Sequence, residues 1–155
     1  MTRSLQLLGC ALLASLAITA SATARAIPTP EPWAIALTKA TLGGNFGAEW
    51  DAYHPAFKKV VSRDRFIACE KKNAQGIKIK VRAVESEGVL STAAKLPLLG
   101  SSIVDQVKLA VIFSSSASTQ DQATEVTVYG LWTGTSWTRV MTTSDYNTYK
   151  AGGCP

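Results

Sequence analysis

The spacing of apolar residues changes once along this chain, and that change limits the folds it can adopt. From about residue 33 to residue 73, apolar side chains recur at three- and four-residue intervals, which is typical of helices packed by one face. From Ile77 onward they alternate with polar residues, which is typical of half-exposed strands. Helices followed by strands predict an α+β fold, with an antiparallel sheet whose apolar face the helices cover.

Three helices are expected in the first half of the chain. The first spans residues 33–42 after Pro32, and two glycines end it. The second is interrupted by Pro55, which ends or kinks it. Its common face consists of Phe46, Trp50, Tyr53 and His54. The third and last spans residues 62–73, with Ser62 as its N-cap.

Three or four antiparallel strands are expected in the second half. The alternating segments are residues 77–83, 107–113, 126–132 and 137–141. Residues 89–101 have a mixed pattern, and Pro97 and Gly100 indicate a loop around a short strand. No repeat or linker divides residues 33–155, which we therefore expect to form one domain.

The N-terminus has the pattern of a secretory signal peptide. Arg3 is followed by an uncharged apolar stretch and then by the A-x-A sequence Ala24–Arg25–Ala26. We therefore expect residues 1–26 to be removed after Ala26 and the protein to be secreted. Residues 27–32 contain three prolines and form an extended leader to the domain.

Three other interpretations use the same segment. Its length would also permit a membrane span, although Ala, Ser and Thr dilute its second half. Residues 7–10 resemble the lipidation signal of a bacterial lipoprotein, but the apolar stretch between Arg3 and Cys10 is short for one. Cleavage after Ala24 also fits the small-residue rule.

Export determines how the cysteines and the charges are interpreted. Cleavage leaves Cys69 and Cys154, and an even pair in an exported chain predicts one disulfide. Cleavage also removes Arg3 and Arg25, so the net charge falls from +5 to +3. A nucleic-acid-binding surface needs a denser basic patch, so no nucleic-acid partner is expected.

The chain has few residues for catalysis. His54 is the sole histidine, and beside Pro55 it is interpreted as structural. An alternative catalytic set is His54 or Asp51 as base, with Tyr53 orienting the substrate. Asp51 and His54 make a weak metal pair, and no phosphate-binding glycine motif is present, so no metal or cofactor is expected. The strand acids Glu85, Asp105 and Glu125 are interpreted as solvated surface.

Two groups of side chains are candidates for binding. The candidate ligand pocket between helices and sheet consists of Trp50, Tyr53, Trp132 and Trp137, although these residues would equally form the core. The candidate basic stripe on the outer sheet face consists of Lys78, Lys80, Arg82 and Lys108. The stripe is interpreted as a solvated face, with an acidic glycan or phospholipid surface as its alternative ligand.

The order of elements and a scattered residue pattern resemble the nuclear transport factor two-like superfamily, in particular its small exported bacterial members. The pattern is Trp50, His54–Pro55, Ser62–Arg63–Asp64–Arg65–Phe66, Cys69, a meander closing on Trp137, and Cys154. The resemblance covers residues 33–154 and implies a cone-shaped α+β fold with a curved sheet. The superfamily includes isomerases, cyclases, dehydratases and transport adaptors, so the fold alone does not give a function.

The carboxylate base and tyrosine of the superfamily's isomerases cannot be placed on this chain. The sequence therefore predicts a secreted, non-catalytic domain that binds a small apolar ligand or a cell-surface partner. One alternative is an isomerase- or cyclase-type enzyme acting on a small apolar substrate. Another is a structural protein of the cell envelope that dimerises through its sheet. No integral membrane segment is expected after cleavage.

Overall fold

The computed structural model describes residues 26–115 and 120–155. Its elements in chain order are α1 (Glu31–Leu42), α2 (Phe46–Ala52), α3 (Pro55–Lys58), α4 (Arg63–Asn73), β1 (Ile79–Leu96), β2 (Gly100–Ser115), β3 (Gln122–Trp132), β4 (Trp137–Arg139) and α5 (Thr143–Lys150). Within these ranges helices precede a four-stranded antiparallel sheet, so the predicted α+β class is confirmed. Residues 1–25, which carry most of the predicted signal peptide and Cys10, lie outside the described residues.

The sheet is a meander in which each strand pairs with the next one along the chain. β1 and β2 form a long hairpin whose register runs from Ile79–Ser115 to Leu96–Gly100. The expected loop over residues 89–101 is wrong, because β1 continues to Leu96 and the turn is confined to residues 97–99. Register shifts between residues 81 and 83 and between 86 and 88 break the alternation that the sequence pattern depends on.

Two hydrophobic cores lie on opposite faces of this sheet. On β3, Val128 belongs to a core with α1, whereas the next residue, Tyr129, packs against the core formed by α2 to α5. Successive strand residues point to opposite faces, so both faces are partly covered. We call the second cluster the helical core: Tyr53, Phe57, Val61, Phe66, Cys69, Val104, Val140, Met141 and Tyr149. The expectation of a single covered face is therefore wrong.

The second predicted helix is divided before Pro55. α2 ends at Ala52, and Tyr53 is extended and forms a bridge with Arg139 of β4. His54 is the N-cap of α3, where its Nδ1 accepts a hydrogen bond from the Ala56 N–H at 3.2 Å. Tyr53 and His54 therefore do not share a helix face with Phe46 and Trp50. A residue before proline avoids the helical conformation, and His54 follows this rule.

The helix α5 was not predicted from the sequence. Its N-cap is Thr142, whose hydroxyl accepts a hydrogen bond from the Asp145 N–H at 3.1 Å. The predicted disulfide between Cys69 and Cys154 is present and joins the segment after α5 to α4 across 85 residues. The Arg65 guanidinium strengthens this attachment by donating to the Gly153 carbonyl at 2.9 Å.

Removing the disulfide is expected to destabilise the protein and to loosen α5. In Cys69→Ala/Cys154→Ala the unfolded chain regains the freedom of a long loop, so the unfolding free energy should fall by about 2–4 kcal/mol. Urea denaturation without reductant measures this loss, and amide hydrogen exchange at Tyr149 reports the loosening of α5. Parent protein with added dithiothreitol is the control and should resemble the variant. An unchanged urea midpoint in both samples would contradict a stabilising role for the bridge.

Candidate functional site

Three tryptophans gather at one end of the sheet. Trp33 of α1 stacks on Trp137 of β4, with ring centroids 6.3 Å apart, and Trp132 at the end of β3 lies 5.5 Å from Trp137. Beneath them is Gly130, where a Cβ atom would lie 3.0 Å from Trp33 Cζ3 and 3.3 Å from Trp137 Cε3. The absence of a side chain at residue 130 therefore lets both rings approach the backbone of β3.

Beside these rings is an open cavity of about 500 Å³, which we call the aromatic groove. Its lining consists of Ile27, Ser91, Ser102, Ile103, Asp105, Leu131, Trp132 and Trp137. Trp137 Nε1 donates a hydrogen bond to the Pro28 carbonyl at 2.9 Å, which fixes the leader at the rim. Ile103 and Ile27 remain 64 % and 59 % exposed as whole residues. Large apolar side chains are thus available in a concave surface.

The aromatic groove has one polar region. The Ser91 hydroxyl donates a hydrogen bond to Asp105 Oδ1, across the β1–β2 pairing of these two residues. The carboxylate and the hydroxyl could orient a ligand whose body lies on the tryptophans. Asp105, interpreted from the sequence as solvated surface, lines this open groove.

The structure brings together two of the four predicted pocket residues. Trp132 and Trp137 line the aromatic groove, and Trp33 supports them from α1. Trp50 instead donates from Nε1 to the Val61 carbonyl at 3.2 Å and packs against the helical core, and Tyr53 is buried inside that core. The four residues therefore do not form one pocket. Sequence spacing identified aromatic side chains but not the faces on which they lie.

The alternative catalytic residues do not form one site either. His54 caps α3, and Asp51 is exposed and pairs with Arg63 at 3.5 Å. Tyr53 points into a second cavity whose lining does not include Asp51 or His54. The structural interpretation of His54 thus agrees with its contacts.

We call this second cavity the acidic cavity; it has a volume of about 230 Å³. Its lining consists of Glu49, Tyr53, Glu70, Asn73, Arg139, Asp145, Tyr149 and Pro155. The acids come from α2, α4 and α5, and the guanidinium comes from β4. None of these charged residues was a candidate from the sequence. The sequence held one signal that could have indicated this cavity. Arg139 is a charged residue at an inward position of an alternating strand.

Two pairs organise the acidic cavity. Arg139 Nη1 forms an ion pair with Glu49 Oε1, and the same guanidinium lies over the Tyr53 ring, 5.1 Å from its centroid. The Tyr149 hydroxyl donates a hydrogen bond to Glu70 Oε1 at 3.2 Å. The ion pair connects α2 to β4, and the hydrogen bond connects α5 to α4.

Burial changes the acid–base properties of this cavity. It lowers the pKa of Arg139 to about 10, which still leaves the guanidinium charged at neutral pH. It raises the pKa of Tyr53 and of Tyr149, so both hydroxyls stay protonated. It also raises the pKa of Glu70; the hydrogen bond from Tyr149 opposes this effect, and the nearby Asp145 charge adds to it. The net effect is a pKa of the Glu70 carboxyl above its ordinary value.

The other predicted surface groups are paired or exposed. Arg82 of the basic stripe lies 3.6 Å from Asp121, and Lys108 lies 3.3 Å from Glu125. Glu85 is exposed, as expected for solvated surface. Two of the four stripe cations therefore have acidic neighbours, which weakens the local positive potential. In the part of the chain that the structure describes, no group of three or more His, Cys, Asp or Glu side chains could hold a metal ion.

Comparison with models of known families, with curated proteins and with solved structures gives no match for this chain. Among residues 26–115 and 120–155, no helix has the length and apolar character needed to cross a membrane. The two cavities are therefore interpreted from their own chemistry.

Glu70 is expected to make stability fall as pH rises. Because its pKa is raised by folding, its contribution to the unfolding free energy is full below about pH 4.3 and is lost as pH rises through the raised value. Glu70→Gln stays neutral in both states, so its unfolding free energy should decrease less between pH 4 and pH 7. Urea denaturation at several pH values measures the two slopes.

Two variants sharpen this test. Tyr149→Phe removes the hydrogen bond that lowers the pKa of Glu70, so the loss of stability should extend to higher pH. Glu125→Gln changes an exposed acid and should retain the parent slope. Identical slopes in parent and Glu70→Gln would contradict the shift.

Proposed function

We propose that this chain is an exported, non-catalytic binding protein whose aromatic groove holds a small apolar ligand. The observation that carries this proposal is the pair of tryptophan rings, Trp132 and Trp137, beside the largely exposed Ile103 in a cavity of about 500 Å³. Covering apolar surface is favourable by about 25 cal/mol per Å². A ligand with a ring or a short hydrocarbon body would gain this term, and Asp105 would contact its polar end.

Export is the second part of the proposal. It is supported by the charged start, apolar middle and A-x-A end of residues 1–26, and by the Cys69–Cys154 disulfide. Cleavage after Ala26 would make Ile27, a lining residue of the groove, the first residue of the secreted protein. Membership of the nuclear transport factor two-like superfamily, with its cone, remains part of this proposal. The order of helices before a bulged meander supports it.

A cell-surface or self-associating role is the second candidate. β1 is the edge of the sheet over 18 residues, and Val89 and Leu90 on it are exposed. Such an edge can accept another strand, which supports dimerisation through the sheet. An enzyme of the isomerase or cyclase type has less support, because His54 and Asp51 do not line the acidic cavity with Tyr53.

Export predicts a defined mature mass. When the full chain is produced in bacteria that secrete it, denaturing mass spectrometry should find residues 27–155 with two hydrogens missing for the disulfide. Ala26→Lys should block cleavage at that position or move it to Ala24. A chain that retains residues 1–26, or one with lipid on Cys10, would contradict the proposal.

The aromatic groove is expected to bind a neutral fluorescent probe, N-phenyl-1-naphthylamine. Trp132→Ala and Ile103→Ser should each weaken binding by about tenfold, because they remove contact surface at the centre of the site. The matched control is Ile77→Ser, since Ile77 is 61 % exposed but does not line the groove. Equal weakening by Ile77→Ser, or no saturable binding to the parent, would contradict the site.

Native mass spectrometry of the secreted protein separates the two candidates. An added non-covalent mass that is lost in Trp132→Ala would support a natural ligand in the groove. A bare dimer would favour association through the sheet.

A further inference from the structure

Asp105 is the one charged side chain among the lining residues of the aromatic groove that the structure describes. Its Oδ1 atom accepts a hydrogen bond from the Ser91 hydroxyl. Within the described ranges its carboxylate forms no ion pair. The cation on the same row of the sheet, Arg139, pairs with Glu49 instead. The groove therefore carries a negative charge that no described residue neutralises.

The register of the sheet places this carboxylate beside the tryptophan rings. Asp105 is directly opposite Gly130 of β3, and opposite side chains share a face with their Cβ atoms about 4.5–5.5 Å apart. Trp33 and Trp137 occupy the space into which a side chain at residue 130 would extend. One small molecule in the groove can therefore contact a ring and the carboxylate together.

The Asp105 carboxylate is accessible to such a molecule. The residue is half-buried rather than buried, and it lines an open cavity. Ser91 engages Oδ1, whereas Oδ2 accepts no hydrogen bond from any residue that the structure describes. The carboxylate thus has room for a further donor.

The chemistry of this surface favours a cationic donor over a neutral or an anionic one. Hydrogen bonds between an ammonium group and a carboxylate are roughly twice as strong as those between neutral groups. Tryptophan faces also attract cations, because the ring carries negative charge on its faces. An anionic ligand would instead meet the like charge of Asp105.

We propose that the apolar ligand of the aromatic groove carries a protonated primary amine, which pairs with Asp105 while the apolar body covers Trp132 and Trp137. This ligand class rests on the proposed function, because it refines what the same groove holds. Ser91 is a positioning residue, since its hydroxyl holds Asp105 Oδ1. An aromatic ring with an amine about two carbons away spans the distance between ring and carboxylate.

The proposed N-terminus determines the pH of the measurement. Cleavage after Ala26 would leave an ammonium group on Ile27, which lines the same groove and would compete for Asp105. An α-amino group has an ordinary pKa of about 7.7–8.0, whereas an alkylamine such as a lysine side chain has one of about 10.4. At about pH 9 the α-amino group is therefore mostly neutral, while a ligand amine stays charged.

The test compares three similar ligands at about pH 9 and constant ionic strength, by ¹⁹F NMR of the secreted protein labelled with 5-fluorotryptophan. They are 2-phenylethylamine, which is cationic, 2-phenylethanol, which is neutral, and 3-phenylpropanoate, which is anionic. The amine should bind about tenfold more tightly than the alcohol, and the carboxylate more weakly than either. Saturable shifts are expected at Trp132 and Trp137. Trp50, which packs against the helical core, is the internal control and should not shift.

Asp105→Asn assigns the preference to one carboxylate. It should weaken amine binding by about tenfold and leave alcohol binding within about twofold, because its amide oxygen can still accept from Ser91. The matched control is Glu85→Gln, since Glu85 is an exposed acid of β1 outside the groove and its loss should keep the parent ratio. If Asp105→Asn fails to fold, the three affinities of the parent decide.

The outcomes separate this ligand class from the groove itself. Equal affinities of the parent for the amine and the alcohol would overturn the amine proposal and leave the groove as an apolar site. An unchanged amine preference in Asp105→Asn, or tightest binding of 3-phenylpropanoate, would also overturn it. If neither these ligands nor N-phenyl-1-naphthylamine binds saturably, the proposed function fails and the amine proposal fails with it.

Discussion

Arg139 joins the sheet to the helices and lines the acidic cavity where the two layers meet. Its backbone pairs with Gly130 of β3 on one side and forms a bridge with Tyr53 on the other, where its carbonyl accepts from the His54 N–H at 2.9 Å. Its side chain holds Glu49 of α2 and covers the Tyr53 ring. A strand of only three residues can therefore connect two layers.

The same connection explains the arrangement of the two sites. β4 places Trp137 beside Trp132 at one end and Arg139 beside Glu49 at the other, so one short strand contributes to both cavities. A buried ion pair does not by itself contribute much stability, because desolvation offsets the attraction. Here it links α2 directly to the edge strand β4.

Local signals in the sequence were sufficient to predict the helices that begin at a capping residue or a proline. Ser62 begins α4 and Pro32 lies in the first turn of α1, as expected from side-chain chemistry alone. The length of β1 was not predictable, because two register shifts move apolar residues out of the alternating phase. The helix α5 is polar and has little apolar periodicity, although Thr142 and Asp145 carry a capping signal. The acidic cavity joins residues far apart in the chain, which no local pattern can bring together.

The disulfide bears on when the acidic cavity is assembled as well as on where its residues lie. The Tyr149 hydroxyl of α5 donates a hydrogen bond to Glu70 of α4, and the Cys69–Cys154 bond joins the same two parts of the chain just beyond α5. A reducing cytosol keeps the two thiols apart, and an oxidising compartment joins them. Under the proposed export, the wall of the cavity would be completed only after the chain had reached an oxidising compartment. A reduced form of the chain would carry the same residues without the bridge that holds α5 against α4.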